Sequence, residues 1–116
     1  MEGGELTLAN GTTVTMTDGN WDSEVLESEL PVLVDFFTDS CAPCRAMSPA
    51  IDAVALEYAA KAKVGKLNMI DYPATAMRYR ISAVPTLMVF KGGEIIAQIV
   101  GALNQAQLRR LLDKHV

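Results

Sequence analysis

Cys41 and Cys44 are the only cysteines of the chain, and they fall in the run Ser40-Cys41-Ala42-Pro43-Cys44. Two intervening residues leave the sulfurs close enough to bond to each other. The pair follows directly on the apolar stretch Pro31-Val32-Leu33-Val34-Asp35-Phe36-Phe37. A strand that ends there and turns into a helix would hold one sulfur at a helix N-terminus, where backbone N–H groups and the helix dipole favour a thiolate. That arrangement points to dithiol–disulfide chemistry rather than to a structural staple. The rival use of such a pair, a zinc or iron–sulfur site, needs about four ligands. The single histidine, His115, is distant in sequence, so a metal would require a dimer.

Composition narrows the setting. At 116 residues and 50% hydrophobic content the chain reads as one domain with a real core. A net charge of −4 offers no basic patch for nucleic acid and no polybasic surface for membrane. Met1-Glu2-Gly3-Gly4-Glu5 has neither a positive n-region nor a following apolar h-region, and no run is long enough to span a bilayer. A cytoplasmic setting is the expectation. In a reducing compartment, a lone close-spaced pair is more often catalytic, redox-sensing or metal-binding than structural.

Alternating strand and helix signals give an α/β class. Leu6–Ala9 and Thr13–Met16 alternate with period two around Asn10-Gly11, a hairpin signal, so residues 1–13 are an N-terminal extension or part of a hairpin. A first helix is expected from Trp21 to Glu29 with Asn20 as N-cap. A buried strand covers Pro31–Thr38, and a second helix begins near Cys41 and runs to Ala62, with Pro49 expected to kink it. Lys63–Met69 is a strand, Thr75–Arg80 a short helix and Thr86–Phe90 a strand. Gly92-Gly93 turns that strand back into Glu94–Val100. The last helix, to Lys114, has Asn104 as N-cap and Gln107 at N3, a variant capping box.

Five features in this order make the chain from Val14 to Val116 resemble the thioredoxin family. They are Val34-Asp35-Phe36 before the pair, the Cys-x-Pro-Cys itself, Pro49 beyond it, Val84-Pro85-Thr86, and Val100-Gly101-Ala102 before the final helix. A bare Cys-x-x-Cys is a weak signal; all five at compatible spacings are highly specific. The resemblance implies a central mixed sheet in strand order 1-3-2-4-5 with helices on both faces. It also implies a monomeric protein-disulfide reductase or dithiol electron carrier with no cofactor beyond its own disulfide. Electrons would come from a reductase of the thioredoxin-reductase type and pass to oxidised client proteins. The alternative is a non-catalytic module that borrows the fold and uses the pair as a redox switch or metal clamp.

Within that resemblance each residue receives an expected role. Cys41, at the exposed helix start, attacks a client disulfide, and Cys44, one helical turn on, resolves the mixed disulfide. Pro43 fits the first helical turn and stiffens the loop. A charge in a buried strand is costly and desolvation raises a carboxyl pKa, which singles out Asp35. The resemblance sets it beneath the pair as acceptor of the Cys44 proton, with Lys66 approaching it to tune its pKa. Pro85 is expected in cis form on the resemblance alone, leaving the Val84 backbone to pair with an extended substrate strand. Gly101 and Ala102 are expected to offer a close-approach surface beside the sulfurs.

The chain also departs from the family. Most members have Trp-Cys-Gly-Pro-Cys; here Ser40 stands for the tryptophan, Ala42 for the glycine, and Phe37 for a second tryptophan. The aromatic wall is missing, which should open Cys41 to solvent and weaken substrate packing. Ser40 is a candidate cap for the second helix, and Ala42 favours helix over glycine. Trp21 and the methionines 16, 47, 69, 77 and 88 read as core or rim packing, and Arg78, Arg80, Arg109 and Arg110 as solvated helix-face charges.

Overall fold

The computed structural model describes residues 13–116. The proposed Leu6–Ala9 arm of the hairpin lies outside the described residues. Among the described residues five strands form one sheet: β1 (Val14–Thr15), β2 (Val32–Phe37), β3 (Lys63–Asn68), β4 (Thr86–Lys91) and β5 (Glu94–Val100). The helical segments are α1 (Asp22–Leu26), α2 (Ala42–Glu57), α3 (Pro73–Arg78) and α4 (Gln105–Asp113). The strand order is β1-β3-β2-β4-β5, as the resemblance implied. β2 runs parallel to β3 and antiparallel to β4, so the sheet is mixed.

Strand alternation divides β2 between two cores. Val32, Val34 and Phe36 point to one face, where they meet Trp21, Val25, Leu67, Met88 and Phe90. Leu33 points to the other, joining Leu87 and Val89 of β4, Met47, Ile51 and Val54 of α2, and Leu108 and Leu112 of α4. Asp35, two residues after Leu33, faces the α2 side. β4 and β5 are joined by Gly92 and Gly93 at φ 61° and 82°. Both central positions of this tight hairpin need positive φ, which glycine adopts without steric cost.

Several element boundaries differ from the sequence reading. The first helix is one wide turn, closed by Glu27 N–H donating to the Asp22 carbonyl. Ser28 withdraws the chain from a longer helix by bonding Leu30 through both its acceptor and its donor. Asn20 does not cap this segment with its side chain, which braces the preceding loop by accepting from Thr17 N–H and donating to the Thr15 carbonyl. α2 stops at Glu57 although Ala59–Ala62 would favour helix, because Lys63 N–H must reach the Pro31 carbonyl to enter the sheet. The helix continues through Pro49. α3 begins earlier than expected, with Pro73 at its start, and Asp18 accepts from both the backbone N–H and the hydroxyl of Thr75.

Trp21 is 2% exposed and packs against Phe36, Tyr79 and Phe90, with its indole N–H donating to Tyr79 Oη. Met16, Met47 and Met88 are core, but Met77 is 76% exposed and belongs to neither core nor rim. Arg109 is not a merely solvated charge either: its guanidinium forks onto both Glu57 carboxylate oxygens, clasping α4 to α2.

Candidate active site

The cysteines sit where β2 gives way to α2, and their sulfurs are bonded to each other. The Cα atoms are 5.2 Å apart. The N-cap of α2 is Cys41 itself, not Ser40: its Sγ accepts from Cys44 N–H at 3.1 Å. A serine cap was the better guess from propensity, but the sulfur occupies the position that a capping oxygen would take. Cys41 is half-buried, whereas Cys44 is 4% exposed. Ser40, Ala42 and Pro43 are exposed, and no aromatic wall stands at the position of Ser40. The loop before the pair is pinned by Cys41 N–H donating to the Thr38 carbonyl and by Arg45 Nη1 donating to the Asp39 carbonyl.

Asp35 lies behind the pair. It is 2% exposed, and its Oδ1 has no hydrogen-bond partner among the described residues. Burial pushes its carboxyl up to about 7, with the positive charge of Lys66 pulling the other way. A cleft of about 150 Å³ connects the relevant groups, lined by Asp35, Phe37, Thr38, Asp39, Cys44, Arg45, Ser48 and Lys66. Asp35 and Cys44 therefore share one small space.

Register explains how Lys66 arrives there. It sits across from Asp35 in the parallel β2–β3 pair. Its ammonium does not face open solvent: Nζ donates to Ser48 Oγ at 2.6 Å and lies 3.0 Å from Asp52 Oδ1. Ser48 was not singled out from sequence. A serine on a helix carries no signal of its own, and only the β3–α2 packing reveals that it meets a lysine 18 residues away.

The remaining predicted residues collect at the same end of the sheet. Antiparallel pairing sets Thr86 beside Phe36, so Val84 and Pro85 precede β4 next to the C-terminal end of β2. The Val84–Pro85 peptide bond is cis. The Pro85 carbonyl accepts from Gly101 N–H at 2.9 Å, which brings the Val84-Pro85 and Gly101-Ala102 segments together. Gly101 has φ 111°, a conformation that side chains rarely adopt, and a Cβ there would meet nothing within 4 Å. Backbone conformation rather than crowding within the chain calls for glycine at this point. Val100 beside it is 63% exposed. Among the described residues no three His, Cys, Asp or Glu side chains gather as a metal site. None of the described helices is long and apolar enough to cross a membrane.

A redox-capable pair at a helix start, a buried carboxyl behind it and this strand order define a thiol–disulfide oxidoreductase fold. The family model described as thioredoxin matches residues 12–114. The chain is 44% identical to thioredoxin 1 of Nostoc sp. over 101 residues, covering 87% of this chain and 94% of that one. It is 40% identical to thioredoxin C-2 of Corynebacterium nephridii over 107 residues, covering 92% and 99%. To the chloroplastic thioredoxin M5 of Oryza sativa it is 44% identical over 103 residues, covering 89% of this chain and 60% of that one. The chain belongs to the thioredoxin family. Its activity is protein-disulfide reduction by thiol–disulfide exchange at the Cys41–Cys44 pair.

Proposed function

We propose that Cys41 is the attacking sulfur and Cys44 the resolving one, within a single thioredoxin-type domain. The observation that carries this assignment is the Cys44 N–H aimed at Cys41 Sγ at the start of α2. In the reduced protein that donor and the helix dipole favour a Cys41 thiolate, while Cys44 remains covered. The thiolate attacks a client disulfide, forming a Cys41–client bond and releasing one client thiolate. Cys44 then loses its proton to the Asp35 carboxylate across the shared cleft, and its sulfur attacks Cys41. The Cys41–Cys44 bond forms and the second client sulfur leaves. Two electrons have passed to the client, and a reductase of the thioredoxin-reductase type restores the dithiol.

The client approaches as an extended segment along the Val84 backbone beside Pro85, adding a strand to the sheet end. Ser40, Ala42, Pro43, Gly101 and Ala102 form the rest of the contact surface; the small residues at 40 and 42 leave it flatter than an aromatic would. Lys66 tunes Asp35 from across the strand pair. The carrier acts as a monomer in the cytoplasm, where the thiol pool is kept reduced. It needs no cofactor beyond the cysteine pair.

Trapping tests the two sulfur roles. Cys44→Ser is expected to accumulate mixed disulfides with client proteins, seen as reducible high-mass species, while Cys41→Ser accumulates almost none. The opposite pattern exchanges the assignments.

A further inference from the structure

We propose that Ser48 is a positioning residue for proton transfer: its hydroxyl ties the Lys66 ammonium to the cleft wall and turns its own proton into the cleft that Asp35 and Cys44 share. The inference rests on the reading of Asp35 as the proton acceptor. Three observations carry it. Ser48 lines the cleft together with both groups. Its Oγ takes a short bond from Lys66 Nζ, 2.6 Å, and that is its one side-chain hydrogen bond among the described residues. An ammonium can only donate, so it occupies a lone pair of the hydroxyl and leaves the O–H free to donate. Lastly, Asp35 Oδ1 is the buried side-chain acceptor without a partner in this space.

Ser48 also decides between two places for a positive charge. Lys66 is held by Ser48 on the cleft side and by Asp52, whose side chain is 56% exposed, on the outer side. Removing the hydroxyl leaves Asp52 as the anchor and draws the ammonium outward. The cleft loses a charge and a polar wall in one change, and both losses disfavour ionised Asp35. The other ionisable groups lining the cleft stay in place. They are Arg45 from α2 and Asp39 after β2, with Cys44 ionisable only once reduced; β4 sets only Leu87 opposite Asp35.

Carbon-13 NMR titration of the Asp35 side-chain carboxyl in the oxidised full chain provides the test, paired with the pH dependence of mixed-disulfide resolution. In Ser48→Ala both midpoints are expected to move up by about 0.5–1 pH unit, so that resolution near pH 7 slows roughly threefold. Ser48→Thr, which keeps a hydroxyl, should retain the parent midpoints. Unmoved midpoints in Ser48→Ala, or an equal shift in Ser48→Thr, overturn the role of Ser48. Asp35→Asn separates this from the underlying reading. If its resolution rate keeps the same inflection, Asp35 is not the acceptor and both proposals fall; if the inflection vanishes, the acceptor role stands and the serine variants decide the rest.

Discussion

The two faces of the sheet are built from the same strands and do opposite things. On the α1–α3 face, Trp21, Phe36, Tyr79 and Phe90 make tilted and edge-on aromatic contacts at 5.4–5.9 Å, and the indole N–H has its partner. Among the described residues no buried side-chain polar atom on this face lacks a partner. On the α2–α4 face, the same strand β2 presents Asp35 with an unpartnered oxygen beside a cleft. The difference arises from one strand position in a period-two pattern. The aromatic face is dry throughout, and the reacting groups sit where the other face, itself a packed apolar core elsewhere, opens at the cleft.

Breaking the dry face should give the largest effect. Phe36→Ala is expected to lower unfolding free energy by about 3–5 kcal/mol, through lost burial and the cavity left behind. The Asp35 midpoint should stay where it was, since the ring points to the opposite face. Chemical denaturation and carboxyl titration check the two halves of that statement. A large shift of the midpoint would mean that the faces are not independent.

The wet face should respond in the reverse sense. Folding raises the Asp35 carboxyl from 3.8 to about 7. Below the lower value both folded and unfolded chains hold the proton and no penalty exists. As pH rises, the unfolded chain ionises first, so stability is lost progressively up to about 7 and stays lost above it. Asp35→Asn, which cannot ionise, should therefore be more stable than the parent by up to about 4 kcal/mol near pH 8, with the difference shrinking toward zero near pH 4. It should also slow client reduction at neutral pH. Denaturant midpoints at the two pH values measure the first claim; a gain independent of pH would remove ionisation as its cause.

The sequence disclosed the wet face better than its architecture would suggest. A cysteine pair after an apolar run, with a carboxyl inside that run, is local information, and burial cost singled out Asp35 without any register. Lys66 needed the resemblance, because a strand lysine looks the same whether it faces solvent or a cleft. Ser48 needed the folded structure, since its partner comes from a different element. Helix ends were legible only where the side chains near them did the capping. Asn104 accepts from Gln107 N–H while the Gln107 side chain accepts from Asn104 N–H, as the spacing predicted. At Glu57, by contrast, the helix ends because β3 must begin, and no residue nearby announces it.

Helix ends extend the comparison to smaller energies. On the wet face, α4 carries that full capping box, and Asn104→Ala should cost about 1 kcal/mol. On the dry face, α3 closes with Arg80 N–H donating to the Met77 carbonyl and Ile81 N–H to the Ala76 carbonyl, a pattern that puts Arg80 in the left-handed region at φ 57°. A side chain there is strained by about 1–2 kcal/mol, partly offset by the freedom glycine would lose on folding. Arg80→Gly should accordingly stabilise by about 0.5–1 kcal/mol, whereas Arg80→Ala, which removes the charge but keeps a Cβ, should not. Equal effects of the two substitutions would trace any gain to charge instead of backbone. The result matters because Arg80 opens the loop that leads to Val84 and Pro85. Glycine there should also lower hydrogen exchange at Ile81 N–H, tying the end of the dry face more firmly to the segment that the wet face uses.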